Sequence, residues 1–316
     1  MIVTLTANPS LDRTITLAEP LQRGAVQAAL SAREDAGGKG INVTRVVHAA
    51  GVESLAVLPL DAEDPFASAL RHTGIPVLPV DTAGVARANV TITDPAGETT
   101  KLNLPGSVLS AEDAGRLVAA VTRAAEGAEW VVLAGSLPPG LPDDFYVTVI
   151  RAVRARWGER APRIAVDTSG PALRAVVDGG APDLIKPNDE ELVELTGGHL
   201  DPSADLADAV HTLARTLVPE RVAAAFVTLG GAGAVLVDAT GAWHGAPPPT
   251  RVRSTVGAGD SSLAGFLLAH VTGAGSEECV RSGIRYGSAA AALPGTQAPT
   301  PADLPAGDVP VRALTP

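Results

Sequence analysis

The stretch Ser254-Thr255-Val256-Gly257-Ala258-Gly259-Asp260-Ser261-Ser262-Leu263-Ala264-Gly265-Phe266 constrains this chain more than any other. A β-prone approach over 251–256 breaks at two glycines. Asp260 then opens a run in which Leu263, Phe266, Leu267 and Val271 recur at helical spacing up to Gly273, which predicts a helix over 261–272. Glycines just ahead of a helix N-terminus let backbone N–H groups converge on an anion, and the helix dipole favours negative charge there. A carboxylate in the same place needs a reason. Ordinary capping after a glycine turn is one. The other is a base that takes a proton from a hydroxyl while the amides of Gly257, Ala258 and Gly259 hold a transferring phosphoryl group. Supporting segments elsewhere in the chain favour the second.

At 316 residues and 46% hydrophobic content, the chain can build a substantial core, and α/β folds of this length are often one domain. Three Trp, two Tyr and four Phe leave that core to Ala, Val and Leu. A net charge of −11 argues against a nucleic-acid or anionic-membrane surface. The single cysteine, Cys279, excludes an internal disulfide and suits a reducing compartment, where a buried thiol is its expected state. Met1-Ile2-Val3-Thr4-Leu5-Thr6 reads as a strand rather than a secretory leader, and no run approaches the ~18 apolar residues that span a bilayer. The expectation is a soluble, cytoplasmic protein.

Of 24 Lys plus Arg, only three are lysine: Lys39, Lys101 and Lys186. Each lies in a segment marked by Gly, Pro or Asn. The surface otherwise uses arginine for a generic cation, so these three positions are read as needing the compact ammonium rather than the planar fork.

Along the chain, strands alternate with helices. A buried strand over 2–7 leads to Asn8-Pro9-Ser10-Leu11-Asp12, where Asp12 either forms the turn or meets a ligand at a strand end. Short strands are predicted at 14–17 and 26–32. Gly37-Gly38-Lys39-Gly40-Ile41-Asn42-Val43 is a glycine turn entering a helix with apolar positions Val43, Val46 and Val47. It fits neither a Walker A loop nor G-x-G-x-x-G, but lets backbone approach a ligand beside Lys39 and Asn42. Strand 55–59, helix 63–73 and strand 76–80 follow. A hairpin of 87–93 and 99–104 around Asp94-Pro95-Ala96-Gly97 reads as a lid over a site, carrying Arg87 and Lys101. Those two charges also suit a solvated edge.

The alternation resumes with helix 110–126, strand 130–134, the stiff loop Gly135-Ser136-Leu137-Pro138-Pro139-Gly140, helix 143–156, strand 163–167, helix 171–178 and strand 183–186. In Lys186-Pro187-Asn188-Asp189-Glu190-Glu191, Asn188 and Glu191 form either a capping box or part of a hydrated Mg²⁺ site. A strand over 222–229 turns at Gly230-Gly231-Ala232-Gly233 and returns over 234–237, making room for a nucleotide or only a tight turn. Helices 261–272 and 276–292 precede a Pro- and Ala-rich tail from Pro294, read as either a surface strap or a partly mobile end.

These residues resemble the ribokinase-like (PfkB) carbohydrate kinase family over nearly the whole chain. Its first signature is matched by Gly37-Gly38-Lys39-Gly40-Ile41-Asn42-Val43 and its second by Thr255-Val256-Gly257-Ala258-Gly259-Asp260, with Gly135 to Gly140 and Lys186-Pro187-Asn188 between. Within the family the likeness is nearest to bacterial 1-phosphofructokinases, through Asn8-Pro9-Ser10-Leu11-Asp12-Arg13-Thr14, the GGKG form and Val256 to Phe266.

The resemblance implies one domain over 1–316. Its fold is an α/β, three-layer αβα sandwich with a mostly parallel sheet, plus a small β-lid from about 12–34 and 86–104 that also forms a dimer contact. It implies ATP and Mg²⁺, with transfer to the 6-hydroxyl of D-fructose 1-phosphate and Asp260 as base over a Gly257-Ala258-Gly259 anion hole. Asp12, Gly38 and Asn42 would hold sugar hydroxyls. Lys39, Arg87, Lys101 and Ser136 are candidates for the substrate's own phosphate, the first two foremost. Lys186, Asn188, Thr228, Gly230 and Gly233 would line the nucleotide side, and Glu191 would reach the magnesium through water. Tagatose 6-phosphate or fructose 6-phosphate are alternative acceptors, and a silent sugar-phosphate sensor is a further one. A Rossmann-type NAD enzyme is disfavoured, because no G-x-G-x-x-G follows the first strand.

Overall fold

Strands whose residues are buried on both faces need cover on both sides, and their place is the middle of a parallel sheet. Residues 2–5, 130–134 and 164–167 are such runs, buried throughout. The computed structural model describes residues 1–82, 84–96, 98–201 and 203–315. Its strands are β1 (Ile2–Leu5), β2 (Ser10–Leu17), β3 (Ala29–Gly37), β4 (Ser54–Pro59), β5 (Val77–Val80), β6 (Arg87–Thr93), β7 (Thr99–Asn103), β8 (Trp130–Ala134), β9 (Arg163–Asp167), β10 (Leu184–Ile185), β11 (Ala224–Thr228), β12 (Ala234–Asp238), β13 (Gly241–Gly245) and β14 (Val311–Ala313). Its α-helices are α1 (Lys39–Ala49), α2 (Pro65–His72), α3 (Ala111–Ala124), α4 (Phe145–Trp157), α5 (Gly170–Gly179), α6 (Asp189–Thr196), α7 (Leu206–Arg215), α8 (Ala258–Val271) and α9 (Ser276–Ala292).

The large sheet runs β14-β13-β12-β11-β10-β9-β8-β1-β4-β5. From β5 to β11 the pairing is parallel, and β12, β13 and β14 close that edge antiparallel. Side-chain alternation sorts the cover. Ile2, Val132 and Leu236 pack with α1, α8 and α9, whereas Val3, Leu5 and Val131 pack with helices α3 to α7. Phe66 and Leu70 of α2 close over Ile41, Ala56 and Leu58. This is the expected three-layer α/β sandwich. Because seven strands run the same way, the loops after β1, β8, β9, β10 and β11 gather at one end of the sheet, where an α/β fold places its ligands.

A second sheet, β3-β2-β6-β7, is the expected lid. Its strand β6 lies parallel to β2 with Asp12 opposite Asn89, and β3 and β7 flank the pair antiparallel. The Gly97 of the predicted turn lies outside the described residues. Along β7 every residue is exposed, and Val26, Leu30, Leu102 and Leu104 present apolar side chains to solvent.

Several elements differ from the sequence reading. The approach over 251–256 is not a strand; Arg253 N and Ser254 N donate instead to Ala291 O at 2.8 and 3.3 Å. The strap after Pro294 returns to the sheet as β14, with Val309 and Leu314 buried. Strand 183–186 shortens to two residues. Helix α7 was not anticipated, although Asp205 caps it by accepting from Ala207 N and Asp208 N and its Ala207, Val210 and Ala214 are buried.

Helix α8 is buried from Asp260 through Ala269 on every side. Packing α9 against it requires small residues. A Cβ on Gly265 would lie 2.6 Å from Ser282 O, a backbone atom that cannot swing aside. Gly265→Val is expected to lower stability by about 1–3 kcal/mol through overpacking. In contrast, Gly115→Ala on the exposed face of α3, where a Cβ meets nothing within 4 Å, should gain up to about 1 kcal/mol of helix propensity. Denaturant midpoints of the two variants check this pair, and a Gly265→Val protein as stable as wild type would contradict the close contact.

Candidate active site

Gly257 sits at φ 76° as the residue before α8, a left-handed conformation that a side chain would strain. The first amide to bond inside the helix is that of Ser261, to Gly257 O at 2.9 Å, and Ala258 N makes only a long 3.4 Å contact to Thr255 O. First-turn amides thus face the cleft rather than the helix interior, as an anion-binding helix terminus requires. Asp260 stands among them, 7% exposed, and its Oδ2 accepts from Asn42 Nδ2 at 2.8 Å. Burial pushes the Asp260 carboxyl up to about 6, and the negative charge of Asp167 adds to the rise. Lys39, the Asn42 hydrogen bond and Lys186 oppose it.

Asn42 and Lys39 arrive together on the first turn of α1. Gly38 precedes them at φ 125°, and a Cβ there would press to 2.7 Å on Thr6 Cγ2, so only glycine lets the turn lie against β1. Lys39 Nζ reaches Asp167 Oδ1 at 2.7 Å, and Lys186 Nζ approaches Asp167 Oδ2 at 3.1 Å. Burial alone would lower the Lys39 ammonium, but Asp167 and then Asp260 outweigh it and hold it well above the ordinary lysine range. Burial would likewise raise Asp167; the two lysines overcome that and keep it ionised below the usual carboxylate range.

On the lid side, Asp12 Oδ1 accepts from Ser10 Oγ at 2.7 Å and from Asn89 Nδ2 at 3.0 Å. Its carboxyl is raised by burial, against the pull of those bonds and of Arg87. A Cβ on Gly37 would lie 2.1 Å from Asp12 Oδ2, so that glycine too is dictated by the carboxylate beside it. Ser10 and Asn89 were not picked out by the sequence reading. Both are small polar residues on strands, and only the β2–β6 register reveals that they converge on one acid.

At the opposite wall, Asn188 caps α6. Its Oδ1 accepts from Glu191 N at 2.7 Å while Glu191 Oε2 accepts from Asn188 N at 2.9 Å. The capping box therefore forms, and it occupies one oxygen of Glu191. Asn188 also bridges in parallel to Thr228, and residues 230–232 form a single tight 3-10 turn.

Asp12, Gly38, Lys39, Asn42, Arg87, Lys186, Asn188, Glu191, Thr228, Gly230, Gly233 and the Gly257–Asp260 turn all line one cleft of about 920 Å³. Two candidates do not line it. Lys101 is exposed on the outer lid strand β7, and Ser136 is exposed after β8, accepting from Asn8 Nδ2 at 3.3 Å. On the cleft wall Lys39, Arg87 and Lys186 face five carboxylates, those of Asp12, Asp189, Glu190, Glu191 and Asp260. A polyanion bound there must be met by the few cations where they stand, because the surroundings are acidic.

Residues 5–303 match the pfkB family of carbohydrate kinases. The chain belongs to that family. It is 36% identical to a 1-phosphofructokinase of Rhodobacter capsulatus over 96% of this chain and 95% of that protein. It is 32% identical to the ATP-dependent 6-phosphofructokinase isozyme 2 of Escherichia coli, over 94% of each chain. The crystal structure of Escherichia coli phosphofructokinase-2 in complex with potassium superposes with a TM-score of 0.86 at 31% identity, covering 96% of both chains. The ribokinase-like fold and an ATP-dependent phosphotransferase activity on a sugar follow. Among the described residues no helix is long and apolar enough to cross a membrane.

The proton on Asp260 has a thermodynamic signature. The folded state binds it more tightly than the unfolded chain does, so ionisation costs folding free energy in full above about 6, and the cost fades as pH falls from there toward the ordinary carboxylate value of 3.8. Asp260→Asn should therefore melt above wild type near pH ~8, the gap narrowing below pH ~6 and closing only toward pH ~4. Equal melting temperatures at the higher pH would contradict the raised carboxyl.

Proposed function

We propose that this pfkB-family kinase transfers the γ-phosphoryl group of ATP to the 6-hydroxyl of D-fructose 1-phosphate, giving fructose 1,6-bisphosphate, with Asp260 as general base. The observation that carries the mechanism is the Asp260 carboxylate, buried beside the first-turn amides of α8 and bonded to Asn42 on the cleft wall. A carboxyl raised to about 6 is ionised near neutrality yet basic enough to accept a hydroxyl proton as the bond to phosphorus forms. Amides of Gly257, Ala258 and Gly259 meet the charge on the phosphoryl oxygens, and the helix dipole aids them.

Asp12, Gly38 and Asn42 hold the sugar. Asn42 Oδ1 and Asn89 Oδ1 are buried acceptors without a partner among the described residues, which sugar hydroxyls would satisfy. Arg87 and Lys39 are assigned to the substrate's phosphate, with Lys39 shared with Asp167. Lys101 and Ser136 stand outside the cleft wall of one chain and take no part in this reading. Lys186, Asn188, Thr228, Gly230 and Gly233 form the nucleotide side.

Among the described residues no cluster of three acidic, His or Cys side chains fits a metal ion. The free Glu191 oxygen suits contact through water with Mg²⁺ carried by the nucleotide, since Mg²⁺ keeps several waters. That ion would supply charge neutralisation at the phosphates, which an acidic cleft needs. The chain is read as one domain, residues 1–316, with a lid from about 12–34 and 86–104. The exposed apolar side chains Val26, Leu30, Leu102 and Leu104 of that lid support a homodimer through it. A cytoplasmic location fits the enzyme class.

Fructose 1-phosphate is favoured because several 1-phosphofructokinases, at 31–36% identity, span most of this chain. Fructose 6-phosphate is the second reading, on the likeness to the Escherichia coli isozyme 2. ADP release measured in parallel with fructose 1-phosphate, fructose 6-phosphate and tagatose 6-phosphate separates them. The expected outcome is preference for the first, lost by ~10²–10⁴-fold in Asp260→Asn while ATP binding persists. Preference for a 6-phosphate would overturn the substrate, and full turnover in the variant would remove Asp260 from the mechanism.

A further inference from the structure

Asp167 is a buried carboxylate of this region to which the proposed mechanism gives no task. It ends β9, in the middle of the parallel sheet, and is 0% exposed. Each of its oxygens faces a different ammonium: Lys39 Nζ at 2.7 Å on Oδ1 and Lys186 Nζ at 3.1 Å on Oδ2. The two lysines come from separate elements, one from the first turn of α1 and the other from the end of β10. The acid is the side chain with which both of them pair. Lys186 in turn lies against the phosphoryl-binding turn, since a Cβ built on Gly259 would stand 3.3 Å from its Nζ.

We propose that Asp167 is a positioning residue for the transfer step: its carboxylate clamps Lys39 and Lys186 side by side beneath the first turn of α8, so that both ammonium groups are in place before ATP and sugar phosphate arrive. The proposal rests on the reading of Asp260 and its turn as the transfer site. Lysine is a point charge on a flexible four-carbon stem, and a site that had to collect two such stems during the reaction would lose the benefit of preorganised charge. One rigid acid at a strand end collects them in advance.

A purely structural role accounts poorly for the same contacts. Buried ion pairs contribute little net stability against an apolar replacement of similar volume, because desolvation offsets the attraction. The chain nevertheless places two of its three lysines on this one carboxylate.

The clamp has a second, electrostatic consequence. The groups facing Asp260 are Lys39 and Asn42 from α1, Asp167 at the end of β9 and Lys186 after β10, with Glu191 of α6 acting on Lys39. Asp167 repels the ionised Asp260 and also spends part of the lysines' positive field. Neutralising Asp167 should therefore ease Asp260 ionisation on both counts.

The test uses the full chain with ¹³C-labelled aspartate, the Asp260 resonance being assigned by its loss in Asp260→Asn. In Asp167→Asn the Asp260 midpoint is expected to move below its position of about 6. Turnover should fall by about 10²-fold, as for a small misplacement of charged groups. Asp167→Glu keeps the charge but displaces it by one methylene. It should leave the Asp260 midpoint near wild type while turnover still falls by about tenfold or more. An unmoved midpoint in Asp167→Asn, or full turnover in Asp167→Glu, overturns the proposal. Should the asparagine variant fail to fold, the glutamate variant decides alone. Because the titration needs no substrate, it separates a failure of this clamp from a failure of the base assignment, which Asp260→Asn turnover reports independently.

Discussion

Holding a carboxylate out of water at the amino end of a helix that is itself buried on every side is the constraint from which the rest of this molecule follows. Asp260 is that carboxylate and α8 that helix. An unpaired buried charge would neutralise itself or unfold its surroundings. Here the charge is made tolerable by Asn42, by the first-turn amides and by two lysines anchored on a second buried acid. Apart from those amides, none of the partners is a sequence neighbour. They reach Asp260 because β1, β9 and β10 run in the same direction and end at the same rim, so that α1, the Asp167 corner and Lys186 converge on one point.

The small residues serve the same end. Gly38 brings the Lys39 and Asn42 turn down onto β1, and Gly265 lets α9 close over α8, sealing the base from one side. The lid seals it from the other, carrying Asp12, Asn89 and Arg87 to the cleft while leaving an apolar surface outside. In a cleft whose wall holds more acids than bases, selectivity for a sugar phosphate depends on where each cation is fixed rather than on overall attraction.

Much of this was legible from residues alone. The strands at 130–134 and 163–167 are legible at the bounds the structure gives as short apolar runs closed by turn residues, and the helix at 276–292 as a longer segment between Gly275 and Pro294. The glycine turns at Gly37-Gly38 and Gly257 to Gly259 pointed to the two helix starts that meet at Asp260, and the scarcity of lysine marked Lys39 and Lys186. What stayed hidden depends on partners distant in sequence. Strands β13 and β14 are short pieces defined by pairing. The 251–256 segment has strand-forming residues, but its amides at Arg253 and Ser254 go to the end of α9 rather than to a strand. Lys101 carries the same local signal as Lys39, yet the lid sheet leaves it exposed on an outer strand. Asp167 was visible as an acid at a strand end, like Asp12, but its charge partners lie 128 and 19 positions away, and no local pattern records them.

The central claim is geometric, so the most direct measurement is a crystal structure of the protein with fructose 1-phosphate and a non-hydrolysable ATP analogue. The sugar's 6-oxygen is expected within about 2.6–3.2 Å of the Asp260 carboxylate, with the γ-phosphoryl mimic over the amides of Gly257 to Gly259. A sugar bound with its phosphate toward Asp260, or a γ-group held away from the α8 terminus, would contradict it.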